Sequence, residues 1–336
     1  MKNVAIYGAS GHTGGLVAAE LVRRGHMPLL IGRNGSALDS VVERLGGKAR
    51  ATVAEVGNPS ALQAALDGVD VLVNCAGPLS ETALPLATAA IARGAHYLDT
   101  NAVEQLTAKR LFDDLSDAAR SARVAVVPGL ATFGGLGDLL ANSAAHGLKR
   151  IDDVTVAYLV KGWIPTRGSQ ATASKGQGAP KLVFADGRFS TSVDPPSLAA
   201  FDFGPPFGVR DVIAQYPGVD VATIPRHVAA ARVTVQMTLS TVQEFRTQDP
   251  ETAAKATPAQ RKNTDFLVVA EVAHANGVRR VLARGMDIYG FTAVMLKLNH
   301  LPDYGRPLEE FDVEALRDHA SRVDAFLGFN DGQATP

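Results

Sequence analysis

The sequence predicts an α/β protein in which a doubly wound parallel sheet is followed by a second, α+β domain with a mixed or antiparallel sheet. Up to about residue 130, short apolar strands alternate with helical segments, which is the pattern of parallel βα units. After residue 147, strand-like segments follow one another without that alternation. We therefore expect domains at residues 1–130 and 131–287, and carboxyl-terminal helices at residues 288–330 that pack back on the first domain.

The first strand and the turn after it carry the clearest functional signal. Residues 3–7 (NVAIY) have the composition of a buried parallel strand, and residues 16–25 (LVAAELVRRG) have helical spacing. Between them, the stretch YGASGHTGG contains three glycines at a spacing of three residues. At such a junction Gly8 permits a tight turn, Gly11 lets the backbone approach a pyrophosphate, and Gly14 lets the helix pack against the strand.

The same turn supplies polar side chains at the start of the helix. Ser10 and Thr13 offer hydroxyl donors, and His12 is expected to border a bound cofactor. A helix N-terminus also carries free N–H groups and the positive end of the helix dipole. The junction therefore predicts a cradle for the phosphates of a dinucleotide, and the first domain is predicted to be of the Rossmann type.

The second strand indicates which dinucleotide binds. Residues 27–34 (MPLLIGRN) end in Arg33 and Asn34, and no acidic residue occurs between Met27 and Leu38. NAD-specific folds usually place an acid here for the ribose 2′-hydroxyl, whereas an arginine suits the 2′-phosphate of NADP. A solvated loop charge is the plainer interpretation of Arg33. We predict NADP(H) as the cofactor, bound by Arg33 and Asn34.

Further βα units complete the first sheet. Strands are predicted at residues 49–56, 69–74, 96–100 and 124–129, and helices between them at residues 60–68, 81–94 and 103–122. Ligands of such sheets bind beyond the carboxyl ends of the strands, so we expect cofactor contacts at Ala76, Gly77, Pro78 and Asn101. Cys75 in the same segment is either a nucleophile or a small buried hydrophobic residue, and we favour the buried role.

The second domain is predicted to form the substrate pocket, because no further glycine-rich strand-to-helix turn occurs in it. Its strands are expected at residues 154–160, 181–190, 231–240, 265–275 and 279–287, with hairpin signals at 185–188 and 275–278. Residues 163–180 and 194–227 are rich in Gly, Pro and Ser and are expected to include loops that close over the site. This domain is also a candidate surface for a homodimer.

Hydride transfer requires a group that supplies or removes a proton, and three side chains are candidates. Tyr97 and Asp99 stand at a predicted strand end, and His227 follows a cation in the stretch IPRHV. Lys161 and Arg226 are candidates for binding the substrate, and Arg226 beside His227 suits a carboxylate. These residues also have plainer interpretations. Tyr97 and Asp99 would brace the end of the sheet, His227 would be a structural loop histidine, and Lys161 would be a charge on an edge strand.

Several other classes of protein are excluded. No tyrosine is followed by a lysine four residues later, so the Tyr–Lys pair of short-chain dehydrogenases is absent. His-x-x-x-His and Cys-x-x-Cys spacings are missing, which predicts no metal site. The net charge is −1 and no Lys/Arg-rich run occurs, so no nucleic-acid partner is predicted. The chain also lacks an apolar run of 18 residues or more, so no membrane partner is predicted. A cytoplasmic protein that acts on a small molecule is expected.

Taken together, several stretches resemble the saccharopine dehydrogenase-like family. They are GASGHTG, VLVNCAGP, GAHYLDT, VVPG and GLGDLLA, with a later GxDxYG(L/F)TA segment matched by Gly285, Asp287, Tyr289, Gly290, Thr292 and Ala293. The resemblance covers the first ~150 residues well and the final third more loosely. Where the family often has YxDxxGE, this chain has Asp99 and a longer segment without the glycine before Glu104. The resemblance implies a Rossmann fold and NAD(P)-linked redox chemistry, but not saccharopine as the substrate.

We therefore predict an NADP(H)-dependent oxidoreductase that transfers a hydride to or from a C=N, C=O or activated C=C bond of a small, carboxylate-bearing metabolite. The alternative is a non-catalytic NADP(H)-binding regulator or redox sensor, which keeps the cradle but lacks a proton donor.

Overall fold

The computed structural model describes residues 2–295 and 326–330. The first sheet contains six parallel strands: β1 (Val4–Tyr7), β2 (Leu29–Gly32), β3 (Arg50–Val53), β4 (Val71–Asn74), β5 (His96–Asp99) and β6 (Val126–Val127). Five helices connect them: α1 (His12–Arg23), α2 (Gly35–Arg44), α3 (Pro59–Ala65), α4 (Leu79–Ala92) and α5 (Gln105–Ala122). The strand order β3-β2-β1-β4-β5-β6 reverses direction between β1 and β4, which confirms the predicted doubly wound sheet.

The strands are apolar because helices cover both faces of this sheet. Alternate residues of β1 point to opposite faces: Ile6 packs with Leu21 of α1, whereas Ala5 belongs to the cluster around Leu86 of α4. Parallel strands buried in this way leave their carboxyl ends as the edge at which a ligand can enter.

The second sheet is mixed, as predicted. Its strands are β7 (Ile151–Lys161), β8 (Lys181–Ala185), β9 (Arg188–Ser192), β10 (Leu198–Asp202), β11 (Val209–Ile213), β12 (Ala230–Thr238), β13 (Asp265–His274), β14 (Gly277–Met286) and β15 (Phe326–Asn330). The order is β10-β11-β12-β7-β13-β14-β15, with the β8–β9 hairpin attached to β12. Strands β7 and β12 are parallel, and their other neighbours in the sheet are antiparallel.

Among the described residues, seven helices accompany this sheet. They are α6 (Gly135–Ala145), α7 (Arg167–Lys175), α8 (Asp220–Thr223), α9 (Leu239–Thr247), α10 (Pro250–Lys255), α11 (Pro258–Lys262) and α12 (Ile288–Met295), with a 3₁₀ turn at Ile224–Arg226 among the described residues. Helix α6 lies on one face of the sheet, and its Leu136 and Leu140 join one hydrophobic cluster with Val17 of α1 and Val156 of β7. One continuous core therefore holds the two sheets together.

Some local predictions differ from the structure. Residues 163–180 contain α7, and residues 194–227 contain β10, β11 and α8 rather than loops alone.

The turn of the β8–β9 hairpin has positive φ at Asp186 (52°) and Gly187 (69°), as a two-residue primed turn requires.

The predicted carboxyl-terminal helices are only partly described. Helix α12 contacts α1 of the first sheet, where we expected these helices to pack. Residues 296–325 lie outside the described residues. Within the range predicted as helical, Phe326–Asn330 is instead strand β15, because its backbone pairs with the edge of β14.

Candidate functional site

The N-terminus of α1 is open. Gly11 is its N-cap residue, no side chain of the described residues bonds to the first N–H groups, and no acidic residue stands in the first turn. Helices α2, α3 and α7, by contrast, are capped by the side chains of Asn34, Asn58 and Thr166. The uncapped N–H groups of α1 are therefore available to an external anion at the carboxyl edge of β1.

The glycines of this turn are required by close packing. Gly8 has a φ of +81°, and a Cβ there would lie 2.9 Å from the backbone nitrogen of Ala76. A Cβ on Gly14 would lie 2.4 Å from the carbonyl oxygen of Gly8. Gly11 has the carbonyl oxygen of Gly8 as its one near neighbour, at 3.2 Å from a built Cβ. Gly8 and Gly14 therefore bring strand, helix and the β4 turn together, and Gly11 stays accessible.

The polar side chains of the turn lie around this open helix end. Ser10 is exposed, and His12 and Thr13 are half-buried. The His12 ring meets the ring of Tyr289 edge-on, with 4.9 Å between centroids, and its Nε2 has no hydrogen-bond partner among the described residues. Burial, with a smaller contribution from Arg261, lowers the pKa of His12, so its ring is neutral at pH 7. His12 therefore borders the cradle as a neutral donor or acceptor.

Arg33 stands at the carboxyl end of β2 and is exposed. Within the described part of the chain its guanidinium forms no hydrogen bond or ion pair. Asn34 caps α2, because its side-chain oxygen accepts the N–H of Ala37 at 3.1 Å and the hydroxyl of Ser36 at 2.9 Å. Arg33 is thus available for a phosphate, whereas the oxygen of Asn34 is already engaged.

Tyr97 and Asp99 lie beneath the site rather than in it. Both side chains are fully buried, and the Tyr97 hydroxyl donates to Asp99 Oδ2 at 3.0 Å. Asp99 Oδ1 accepts the N–H groups of Asn101 at 3.0 Å and Gly129 at 2.8 Å. Burial raises the pKa of Asp99 to about 6 and that of Tyr97 well above its usual value. These contacts agree with the plainer interpretation, in which the two residues brace the ends of β5 and β6.

The turn after β4 packs directly beside the cradle. Its Ala76 donates its N–H to Asn74 Oδ1 at 3.0 Å and accepts the hydroxyl of Thr82 at 2.6 Å. Gly77 faces α7, since a Cβ on Gly77 would lie 3.3 Å from the hydroxyl of Thr172. Pro78 is the N-cap residue of α4. The predicted contacts Ala76, Gly77 and Pro78 therefore form one wall of the cradle.

Cys75 and Asn101 flank this wall. Burial and the nearby Asp99 raise the pKa of the Cys75 thiol to about 12, so the thiolate needed of a nucleophile is not formed near neutral pH. Asn101 accepts the N–H of Glu104 at 2.8 Å through its side-chain oxygen and donates to the Glu104 carbonyl at 2.9 Å. Cys75 is therefore a structural residue, and Asn101 shapes its own loop.

An aromatic wall, which the sequence did not predict as a unit, faces His12. Trp163 donates its indole N–H to the Tyr289 hydroxyl at 3.0 Å, and that hydroxyl lies 3.2 Å from the carbonyl oxygen of Ile164, to which it donates. Phe133 and Phe245 flank the indole at centroid distances of 5.2 and 4.9 Å. Tyr289 was singled out by the family motif, and Trp163 is the single tryptophan of the chain. Apolar walls of this kind shield a ligand pocket from water.

His227 is paired with an acid inside the second domain. Its Nε2 lies 2.8 Å from Asp138 Oδ1, a contact that is an ion pair when the imidazole is protonated. Burial lowers the pKa of His227, yet the attraction of Asp138 outweighs it and leaves the pKa above the usual value. A protonated His227 is therefore able to act as an acid, and its catalytic role stays a prediction.

The two predicted substrate-binding cations have protein partners. Arg226 stacks on the ring of Phe112 at 4.6 Å and lies 3.4 Å from Asp113, both on α5. Lys161 lies over the ring of Phe207 at 5.6 Å. Phe207 packs against the sheet face opposite α6. The structure thus does not bring these cations together with the cradle residues, and their substrate role stays a prediction.

Two further features are absent from the described residues. No group of three or more metal-ligating side chains occurs among them. In the same part of the chain, no helix has the length and apolar character needed to cross a membrane.

Fold and site together define a dinucleotide-binding protein, and comparison with known proteins specifies the kind. Residues 4–127 match the family model of the saccharopine dehydrogenase NADP-binding domain. This match supports the resemblance to the saccharopine dehydrogenase-like family that the motifs indicated, and it assigns NADP(H) as the cofactor of the first domain. An NADP-dependent oxidoreductase is the function class that this match supports.

One solved structure shows a similar fold over nearly the whole chain. Apo histidine-tagged saccharopine dehydrogenase (L-Glu forming) from Saccharomyces cerevisiae matches with a TM-score of 0.62 at 12% identity, over 99% of this chain and 100% of that one. Triphenylmethane reductase from Citrobacter sp., complexed with NADP(H), gives a TM-score of 0.33 at 19% identity over 46% of this chain and 57% of its own. No curated protein sequence matches the chain.

Proposed function

We propose that the protein is an NADP(H)-dependent oxidoreductase that transfers a hydride to or from a C=N, C=O or activated C=C bond of a small metabolite. The observation that carries the proposal is the uncapped N-terminus of α1, closed in by Gly8 and Gly14 and flanked by Arg33. The cofactor, when bound, supplies or accepts the hydride. Binding and orienting the reactants is the task of the protein.

Different groups around the cradle bind different parts of the cofactor. The backbone N–H groups at the start of α1 bind the pyrophosphate, with the Ser10 and Thr13 hydroxyls beside them. Arg33 binds the 2′-phosphate. The turn Ala76–Pro78 and the aromatic wall of Trp163 and Tyr289 border the remaining part of the cleft and exclude water from it.

The substrate and the proton donor are the finer parts of the proposal. A carboxylate on the substrate was inferred from Arg226 and His227, each of which has a protein carboxylate beside it, Asp113 and Asp138. A screen for NADPH oxidation with keto acids beside uncharged ketones and imines tests this part. His227, whose pKa is raised by Asp138, is the remaining titratable candidate for the donor, since Tyr97 and Asp99 are enclosed below the strand ends.

A non-catalytic NADP(H)-binding regulator remains the second candidate. It is favoured by the burial of Tyr97 and Asp99, which leaves two of the three predicted proton donors without access to a substrate. A regulator binds NADPH without turnover of any compound in the screen. An oxidoreductase turns over at least one of them, and His227→Asn then slows that turnover without weakening NADPH binding.

The cofactor assignment is tested by calorimetric titration with NADPH and NADH. Arg33→Ala is expected to weaken NADPH binding about thirtyfold, because a charge-assisted contact to phosphate contributes about 2 kcal/mol, and to leave NADH binding unchanged. Arg44→Ala is the matched control, since Arg44 is exposed at the other end of α2. Equal losses for both nucleotides in Arg33→Ala contradict the 2′-phosphate role, and binding of neither by the folded wild type contradicts the proposed function.

A further inference from the structure

We infer that Glu104 is the positioning residue of the turn Ala76–Pro78, and that its carboxylate fills the anion-binding point at the N-terminus of α4. The inference rests on the proposed function, because it takes this turn to border the bound cofactor.

The side chain of Glu104 serves a helix other than its own. Glu104 is the N-cap residue of α5, yet its carboxylate does not cap that helix. It reaches α4, where Oε1 accepts the N–H of Leu79 at 2.6 Å and Oε2 accepts the N–H of Ser80 at 2.5 Å. One carboxylate thereby binds the first two N–H groups of a 14-residue helix and places a fixed negative charge at the positive end of its dipole.

A buried support fixes the position of this carboxylate. The backbone of Glu104 is bonded in both directions to the side chain of Asn101, at 2.8 and 2.9 Å. The N–H of Asn101 is in turn bonded to Asp99 Oδ1, which is fully buried at the end of β5. The first turn of α4 is therefore held relative to β5, and not only by the strand β4 that precedes it.

The part of the chain that Glu104 holds is the wall of the cradle. Pro78 directly precedes Leu79, so the turn Ala76–Pro78 leads into the two bonds of the carboxylate. Ala76 lies against Gly8 so closely that a Cβ on Gly8 would come within 2.9 Å of it. A shift of the first turn of α4 consequently moves the wall beside the phosphate-binding turn.

The N-termini of α1 and α4, both at this edge of the sheet, therefore differ in whether a side chain occupies them. The N-terminus of α1 is uncapped, whereas that of α4 is occupied by Glu104. An anionic group of a ligand is thus directed to α1 and excluded from α4. In this site Glu104 both positions the turn and limits where a phosphate or carboxylate binds.

The test compares Glu104→Ala, Glu104→Gln and Glu81→Ala by calorimetric titration with NADPH and NADH. Glu81 is the matched control, because it is an exposed acid in the same first turn and pairs with Lys175 instead of the helix N–H groups. In Glu104→Ala, both dissociation constants are expected to rise by the same factor, about tenfold, so the preference for NADPH over NADH is unchanged. Glu104→Gln, which keeps one acceptor oxygen, is expected to lose about threefold, and Glu81→Ala less than twofold.

Rescue by formate separates a missing carboxylate from general damage. Sodium formate is expected to restore NADPH binding to Glu104→Ala more than sodium chloride does at equal ionic strength, because formate can accept the two N–H groups of α4. Wild-type affinity in both Glu104 variants, or equal effects of formate and chloride, would overturn the inference. If Glu104→Ala does not fold, wild-type affinity in Glu104→Gln overturns it.

Failure of the proposed function has a different signature. If the folded wild type binds neither nucleotide, the proposed function fails. The thermal stability of Glu104→Ala in formate against chloride then decides whether the carboxylate holds α4: a higher midpoint in formate supports that part, and equal midpoints overturn it.

Discussion

At the first turn of α1, two adjacent glycines have opposite steric surroundings. A Cβ on Gly14 would lie 2.4 Å from the oxygen of Gly8 and 2.9 Å from the Cα of Ala9, and both are backbone atoms that cannot rotate away. A Cβ on Gly15 would meet its nearest neighbour, the oxygen of Ala9, at an ordinary 3.7 Å. Gly14→Ala is therefore expected to lower the free energy of unfolding by about 3 kcal/mol, from overpacking.

Gly15→Ala is the control for this prediction. Alanine restricts the unfolded chain and favours the helix, so this variant is expected to raise the free energy of unfolding by about 0.5–1 kcal/mol. Urea denaturation of both variants checks the pair. A Gly14→Ala protein as stable as Gly15→Ala contradicts the close packing of strand and helix.

The buried carboxyl of Asp99 predicts a particular dependence of stability on pH. Burial raises its pKa from 3.8 to about 6 in the folded protein, so between these values the folded state binds a proton that the unfolded state has released. This contribution to stability is complete below pH 3.8 and is lost as the pH rises through about 6. A shift of this size corresponds to about 3 kcal/mol.

Asp99→Asn removes this titration and keeps a carbonyl oxygen for the N–H groups of Asn101 and Gly129. The free energy of unfolding of the wild type, minus that of Asp99→Asn, is expected to fall by up to about 3 kcal/mol between pH 4 and pH 7. Urea denaturation in a series of buffers measures this difference. A difference that is constant over the range, or that grows with pH, shows that Asp99 is not held in its protonated form.

At the scale of the element, helix α7 lies beside the turn Ala76–Pro78 and is held by partly exposed contacts. None of its residues is buried, and it begins and ends near glycines, Gly162 and Gly176. Its contacts with the nucleotide domain include Thr172 beside Gly77 and the ion pair of Lys175 with Glu81. Exposed surface contacts of this kind contribute little free energy, so α7 is expected to open readily.

Hydrogen exchange followed by mass spectrometry tests this expectation. Peptides that cover α7 are expected to exchange fast in the free protein and more slowly when NADPH is bound, since α7 contacts Gly77 in the turn that is proposed to border the cofactor. Peptides from α6, which packs on the second sheet through buried residues, serve as the control and are expected not to change. Identical exchange of α7 with and without NADPH argues against its closing over the site.

The elements also show what the sequence could predict and what it could not. The strands of the first sheet and the glycine turn were predictable because their signals, apolar runs and glycine spacing, are local. Helix α7 has no apolar face, and only one residue of β10, Phe201, is buried, so neither shows a hydrophobic period. The sequence therefore predicted neither element, and the two regions were expected only to include loops.

In the candidate site, too, the local features were predictable from the sequence and the long-range contacts were not. The cradle residues follow one another in the chain, and the family model confirms the NADP cofactor that was predicted from them. The bonds of Glu104 to Leu79 and Ser80 join residues 25 and 24 positions apart, and the bond of Trp163 to Tyr289 spans 126 positions. Such contacts depend on how the strands are ordered, which the residues themselves do not encode locally.

At the scale of the whole molecule, Gln105 joins the two sheets. It is buried at the start of α5, where its side-chain oxygen accepts the N–H of Leu182 at 2.9 Å and its amide donates to the carbonyl of Gly218 at 3.1 Å. Gln105→Ala leaves both backbone groups buried without these partners. Each unsatisfied group costs about 1–3 kcal/mol, so the variant is expected to lose roughly 3 kcal/mol of unfolding free energy. Gln63→Ala, at an exposed position of α3, is the control and is expected to stay within about 0.5 kcal/mol of the wild type.

The loss of this link is also expected to separate the unfolding of the two sheets. Trp163 is the single tryptophan and follows β7 of the second sheet, so its fluorescence reports the second domain, whereas far-ultraviolet circular dichroism reports both. The shared core predicts coincident urea transitions by the two probes in the wild type. In Gln105→Ala the fluorescence transition is expected at a lower urea concentration than the circular dichroism transition. Coincident transitions with unchanged midpoints would show that the shared core alone couples the sheets, and that Gln105 adds nothing to their cooperativity.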